Sequence, residues 1–405
     1  MKTIKKSSRF SNVSYEVRGV LAEEAERMEA RGESVIKLNI GNPASFGFTA
    51  PQAALEMMRR SAALTQGYSN ARGIPEAIEA ILGYAEHKKI PGVTAENVFT
   101  GNGVSELIQL SLEALLNPGD EVLIPSPDYP LWTAAATFAG GRVVHYNCVE
   151  ENNWYPDIED MESKITGRTR AIVIINPNNP SGAIYPKEVL EKIAEVARRN
   201  NLIIFSDEIY DRLITDGTEH TSIASLATDV LCITMNGLSK SHMLCGYRVG
   251  WMVLSGDTEA AKDYINGIAT LADMRLCSNV PGQAVIATAL SGDRRAEEYF
   301  IPGGRVYEQT NTTWEMLVKI PGVSAVKPRA AFYIFPKLDA ERFNITDDRK
   351  FALDLLREKK ILVVPGSGFN WQEPDHFRIV CLPQKEVMQD AIARLGEFLE
   401  TYRQN

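Results

Sequence analysis

Residues 236–251 read NGLSKSHMLCGYRVGW. An apolar run, Leu231 to Met235, leads into them, and a second, Val249 to Leu254, leads away. Between the runs Lys240 stands in a turn of small residues, Gly237-Leu238-Ser239, and Arg248 follows eight residues later. A lysine held at the end of a buried strand loses hydration, which disfavours its charged form. The amine that results is a nucleophile able to form a Schiff base. Taken alone, the stretch reads more simply as a loop with a surface lysine, so the rest of the chain has to decide.

The chain around it alternates. Strands are expected at Val98–Thr100, Glu121–Pro125, Leu202–Ser206, Leu231–Met235 and Val249–Leu254. Thr169 to Asn176 (TRAIVIIN) is apolar without strict alternation, as a strand buried on both faces should be. Helical spacing recurs between them, at Val104–Leu116 and at Glu188–Arg199 behind Pro186. Strand, helix, strand repeats predict an α/β fold with a large, mostly parallel sheet. Ligands of such sheets bind at the carboxyl ends of the strands. Asn102-Gly103, Asn179, Asp207 and Lys240 all fall there.

Ahead of this region come helices at Val17–Arg31, Pro51–Leu64 and Ile74–Lys88, and a short strand, Val35–Ile40, that ends in the turn Gly41-Asn42-Pro43. After Leu254 the pattern is helical to about residue 315. A smaller α+β unit follows. It should hold a strand pair (Val323–Val326 with Ala331–Phe335), a helix Asp347–Lys359, strands Ile361–Val364 and Phe377–Leu382, and a last helix Lys385–Tyr402. The expected division is 1–45, an N-terminal arm and segment joining the small domain; 46–315, the large domain; and 316–405, the small one.

Composition narrows the class. The 405 residues are 44% apolar and 23% charged, ordinary for a globular protein. A net charge of −9 opposes nucleic-acid binding, which needs a basic surface. Five cysteines, odd in number and without CxxC spacing, read as thiols of a reducing compartment, and five dispersed histidines show no metal-ligand spacing. MKTIKKSSRF lacks the apolar stretch of a signal peptide, and no run is apolar enough to span a membrane. A cytoplasmic protein is expected.

Several residues could carry chemistry. Thr100-Gly101-Asn102-Gly103-Val104 is a glycine-rich turn into a helix, either a plain structural turn or one whose free N–H groups and helix dipole suit a phosphate. Glu106 stands where a dinucleotide fingerprint needs its third glycine, which disfavours a nicotinamide dehydrogenase. Arg248 offers a second anion contact. Asn176-Pro177-Asn178-Asn179-Pro180 aims its Asn side chains through two X-Pro steps. Asp207, in Asp207-Glu208-Ile209-Tyr210, is a carboxylate ending a buried strand; a protonated ring nitrogen would pair it, and a helix N-cap role is compatible. Tyr129 could stack on an aromatic ring or be plain core. Arg378 lies inside an apolar strand, where a substrate carboxylate or an ordinary salt bridge would satisfy it. Together, reactive lysine, strand-end carboxylate, phosphate donors, stacking ring and carboxylate-binding arginine describe a pyridoxal phosphate site.

Over nearly its whole length the chain resembles the fold-type I, class I/II aminotransferases. The resemblance rests on NNPSG at 178–182, DEIY at 207–210, SK followed by GYR at 239–248, and Arg378. Within that family it is most similar to bacterial alanine aminotransferases, through SNVSYEVRG at 11–19, KLNIGNPA at 37–44, GNGVSELI at 101–108, PDYPLWTAA at 127–135, IVIINPNNPSGAIY at 172–185 and DHFRIV at 375–380. The resemblance implies a pyridoxal 5′-phosphate enzyme and a homodimer with shared active sites. Lys240 would carry the cofactor Schiff base and then shuttle the proton. Asp207 would pair the ring nitrogen, Tyr210 and Asn179 would bond the phenolic oxygen, and Tyr129 would stack on the ring. Gly103, Val104, Ser239 and Arg248 would hold the phosphate, with Tyr68 reaching in from the second subunit. Arg378, Asn179 and the Gly41 N–H would grip the substrate carboxylate, and Tyr15 and Arg18 would close over the site.

The implied reaction is transfer between L-alanine and 2-oxoglutarate in ping-pong order. Two stretches depart from relatives: Ser241-His242-Met243-Leu244-Cys245, and Arg329-Ala330-Ala331, which has alanine where a glycine is usual. Both leave the reaction in place and bear on the amino acid preferred. Aromatic, methionine or branched-chain substrates, or a C–S lyase reaction at the same cofactor, are the alternatives. A regulator carrying an aminotransferase-like domain is opposed by the charge and by the short stretch before Tyr15.

Overall fold

The computed structural model describes residues 3–13, 16–292 and 295–405. Its strands begin with β1 (Ile36–Lys37), β2 (Val98–Gly101), β3 (Glu121–Ser126), β4 (Arg142–Val149) and β5 (Tyr155–Pro156). They continue with β6 (Thr169–Ile175), β7 (Ile203–Asp207), β8 (Cys232–Gly237) and β9 (Gly250–Ser255). Strands β2 to β9 make one eight-stranded sheet in the order β2-β9-β8-β7-β6-β3-β4-β5. The run β8-β7-β6-β3-β4 is parallel throughout. Strand β9 is antiparallel to both its neighbours, and β5 to β4.

Both faces of this sheet are covered, which explains the unbroken apolar run at 169–176. Ile172 and Ile174 join one buried cluster, while Ala171, Val173 and Ile175 join another on the opposite face. Successive side chains point to opposite sides, so a strand between two helical layers has no polar position to offer. The carboxyl ends of β3, β6, β7 and β8 therefore meet at one edge, together with that of β2. The reversed sense of β9 brings its leading residue, Arg248, to the same edge.

The remaining strands are β10 (Val323–Ser324), β11 (Tyr333–Ile334), β12 (Lys337–Leu338), β13 (Ile361–Leu362), β14 (Val364–Pro365) and β15 (Phe377–Val380). The expected pair Val323–Val326 with Ala331–Phe335 does not form: β10 pairs with β12, and β11 with β15. Between them the chain departs from extended geometry. Pro328 can donate no ladder bond, Ala331 takes a φ of 57°, and the Arg329 and Ala330 N–H groups donate to Gly182 O at 3.0 Å. The N-terminal strand is shorter than expected, only Ile36–Lys37, and it runs parallel to β13. Leu38 N donates to Leu362 O (2.8 Å) and Val380 N to Leu38 O (3.0 Å). The helix Val20–Ala30 packs Leu21, Ala25 and Met28 into the same cluster as Phe351, Ile379 and Leu395. This pairing sets Asn39 and Gly41 beside β15, which carries Arg378. Two elements at 131–149 had no forecast, the helix Leu131–Phe138 and β4; the half-exposed, mixed face of β4 hides its period.

Candidate active site

Strand β2 ends in Gly101 and turns through Asn102-Gly103 into the helix Val104–Leu115. Glu106 holds the turn, accepting from Asn102 N and Nδ2 at 2.8 Å each. Gly103 adopts φ 81°, and a Cβ there would strike the Arg248 guanidinium. Only glycine allows that approach of backbone to cation. Arg248 itself takes φ 52°; its Nη1 donates to Cys245 O at 2.9 Å and its side chain stays exposed. The result is a helix N-terminus with its N–H groups and an exposed guanidinium on one edge, an arrangement suited to an anion. Ser239 sits beside it in the short helix Leu238–Ser241, half-buried like Val104.

Asp207 closes β7 and is 3% exposed. Its carboxylate accepts from Trp132 Nε1 (3.2 Å) and from Ile209 N (3.3 Å). Burial pushes it up to about 6, with those two bonds opposing. It caps a turn rather than a helix. Trp132 was not singled out in the sequence, where it reads as core; its place in PDYPLW, three residues after Tyr129, is the one signal it gave. Tyr129 is half-buried against the cluster that holds Trp132.

Lys240 Nζ donates to Gly41 O at 2.7 Å and lies 5.7 Å from the Phe332 ring centre. A Cβ on Gly41 would come within 2.5 Å of the Tyr333 hydroxyl and 2.6 Å of Phe332. Tyr333 in turn shares a 2.8 Å hydrogen bond with the Tyr210 hydroxyl. Arg378, 2% exposed, donates to Asn179 Oδ1 at 2.8 Å and to the Asn39 carbonyl, with the Tyr333 and Phe369 rings 4.5 and 4.6 Å from its guanidinium carbon. Thus Lys240, Gly41, Tyr210, Asn179 and Arg378 form one connected group through Tyr333 and Asn39. Those last two were missed because each contacts its partners over long sequence separations. Tyr68 stands apart, 81% exposed. Tyr15 and the Arg18 side chain lie outside the described residues.

The family model for aminotransferase class I and II matches residues 33–395. The chain belongs to the class I and II aminotransferases. Its sequence is 53% identical to glutamate-pyruvate aminotransferase AlaA of Escherichia coli (strain K12), over 100% of both chains. It is 50% identical to an alanine aminotransferase of Mycobacterium tuberculosis (strain H37Rv), over 98% of this chain and 93% of that one. A crystal structure of an aminotransferase from Escherichia coli superposes with a TM-score of 0.98, at 53% identity and 100% coverage of both chains.

Beneath the Asp207–Asp211 turn this aminotransferase buries a charged cluster that the sequence did not announce. Glu208, Asp211 and His220 bring donor atoms within 4.8 Å of one another. Lys88 Nζ lies 3.1 Å from Asp211 Oδ2 and 2.6 Å from His220 Nδ1, so an ammonium fills the place a cation would take. Burial pushes the His220 imidazole down to about 3, with Lys88 adding to it. It is therefore neutral, accepts from Lys88 at Nδ1 and donates from Nε2 to Asn176 O (3.0 Å). Burial raises the Asp211 carboxyl, but the Lys88 ammonium and the Tyr84 hydroxyl hold it below its ordinary value. Among the described residues no helix is long and apolar enough to cross a membrane.

Proposed function

We propose that this aminotransferase moves an amino group between L-alanine and 2-oxoglutarate, giving pyruvate and L-glutamate in ping-pong order, with pyridoxal 5′-phosphate as cofactor. The observation that carries the substrate choice is identity of half or more, over at least 93% of each chain, to relatives named for glutamate-pyruvate and alanine transfer. The donor set fits the cofactor: an N-terminal helix turn with an open guanidinium for phosphate, a buried acid pushed up to about 6 for a ring cation, and a half-buried lysine for an aldehyde.

Pyridoxal phosphate, when bound, supplies an aldehyde that condenses with amines and a ring that withdraws electrons from the adjoining carbon. Lys240 Nζ would hold the aldehyde end of the group, and as a free amine it would move the proton at the substrate Cα. Asp207, oriented by Trp132, would keep a proton on the ring nitrogen. Tyr210 and Asn179 would serve its phenolic oxygen, and Tyr129 its ring face. Gly103, Val104, Ser239 and Arg248 would hold the phosphate. Arg378 would take the substrate carboxylate, its fork pre-set by Asn179 and the Asn39 carbonyl, with the Gly41 N–H as a further donor. The working unit is a homodimer in the cytoplasm, in which Tyr68 reaches the partner's phosphate; its 81% exposure in one chain supports this. The domains divide at 45/46 and 315/316.

The visible spectrum tests the reading. A yellow band in the purified protein should bleach with L-alanine and return with 2-oxoglutarate. A band indifferent to alanine moves the substrate elsewhere. Pyruvate and ammonia formed without an acceptor would make it a lyase. No band, even after incubation with pyridoxal phosphate, removes Lys240 from its role.

A further inference from the structure

His376 is buried two residues before Arg378 and has no part in the chemistry above. Its ring lies in an aromatic box. It stacks on Phe335 (4.8 Å, 26°) and meets Trp154 (5.3 Å) and Trp371 (5.1 Å) edge-on. Its Nδ1 is 2.6 Å from Asp375 Oδ1, and its Nε2 is 3.5 Å from Glu150 Oε2. Glu150 follows β4 of the large sheet, whereas His376 leads into β15 of the small one. The histidine therefore ties the strand that bears Arg378 to the other sheet. A second route reaches the same arginine: Phe335 stands edge-on to Phe369 (6.0 Å), and Phe369 lies 4.6 Å from the Arg378 guanidinium.

We propose that His376 is a positioning residue for the substrate carboxylate, its imidazolium clamping β15 between Asp375 and Glu150 so that Arg378 is held in place. This rests on the reading of Arg378 as the carboxylate grip. Burial opposes the charge on His376, but Asp375 and Glu150 outweigh it and hold the imidazole above its ordinary range. The other charged group facing the box is Lys337, 3.2 Å from Glu150 and 3.8 Å from Asp375, and it is held above its ordinary value, mainly by Glu150 against burial. Asp375 and Glu150 are held below theirs, burial notwithstanding. From mildly acidic pH upward, His376 is thus the group in the box that changes charge. A group whose folded value is raised contributes fully at low pH, and its contribution is lost as pH rises through that value.

The test uses the holoenzyme and the KM for 2-oxoglutarate, whose carboxylates stay ionised across the range. In the parent, KM should rise as pH climbs above neutrality. In His376→Gln it should already be raised about tenfold at pH 7, with kcat within about twofold and the rise with pH gone. His376→Phe keeps a ring in the box and should behave alike if the glutamine variant folds poorly. NMR of the His376 ring, one of five histidines, should give a titration midpoint matching the KM profile. A variant with parental KM and parental pH profile overturns the proposal, as does a fall in kcat that accounts for the whole defect. Arg378→Lys is run beside it. An unchanged KM there would remove the reading of Arg378 itself, whereas a raised KM there with an unaffected His376→Gln removes only the role of His376.

Discussion

Replacing Asp207 with Asn should stabilise the cofactor-free protein while weakening its hold on pyridoxal phosphate. The carboxyl is buried and pushed from its ordinary 3.8 up to about 6, chiefly by burial. An acid whose folded value is raised binds its proton more tightly when folded. Its contribution to stability is therefore highest below pH 3.8 and falls as pH rises through 3.8 to about 6. At 1.36 kcal/mol per tenfold, the rise costs the folded protein about 3 kcal/mol above that window. Asn removes the buried charge, yet it has one acceptor oxygen for two donors, Trp132 Nε1 and Ile209 N, which returns about 1 kcal/mol. The expected net gain is about 2 kcal/mol at pH 8 and about 0.5 kcal/mol at pH 5. Urea unfolding of parent and variant, both cofactor-free and at one protein concentration, measures the difference. Glu208, also pushed up to about 7, titrates in both proteins and cancels. With pyridoxal phosphate added, the order should reverse, because the parent regains a cation beside its carboxylate. A variant less stable at pH 8, or a gain independent of pH, would refute the reasoning.

Lys240→Ala should lose transamination and hold its cofactor only weakly and dialysably; retained turnover removes the assignment. Gly41→Ala puts a Cβ 2.5 Å from the Tyr333 hydroxyl and 2.6 Å from Phe332, so it should cost about 1–3 kcal/mol in thermal unfolding and raise the substrate KM. Lys88→Met leaves the Asp211 carboxylate buried without its ammonium, an expected loss of about 3–5 kcal/mol. Adding Asp211→Asn should recover part of that loss, and a double variant no better than the single one counts against the ion pair as the cause.

The sheet and its loaded edge were legible because their signals are local. A strand covered on both faces writes itself as TRAIVIIN, and the residues that follow such strands stand out as polar breaks: Asn179, Asp207, Lys240. The small domain was less legible, since most of its strands are two residues long and no period of two can appear in two residues. Its strand partners were also misjudged. Ala331 gives no hint in its side chain that the backbone there will turn to φ 57°.

The missed site residues share a physical reason. Trp132 reaches Asp207 across 75 positions, Tyr333 reaches Tyr210 across 123, and Asn39 reaches Arg378 across 339. Each sits in a run whose composition already explains it as core or turn, so its polar tip carries no separate mark. Gly41 makes the same point from the other side. In the sequence it is a turn glycine, valued for backbone freedom. In the fold its φ lies outside the left-handed region, and freedom is not what the position needs. It needs the missing Cβ, because the Phe332 and Tyr333 rings close on that spot while Lys240, from a second part of the chain, holds the carbonyl. A requirement set by neighbours 199 and more residues away cannot be read from the tetrapeptide around it. That is why Lys240 stood out in the sequence, and the wall it faces did not.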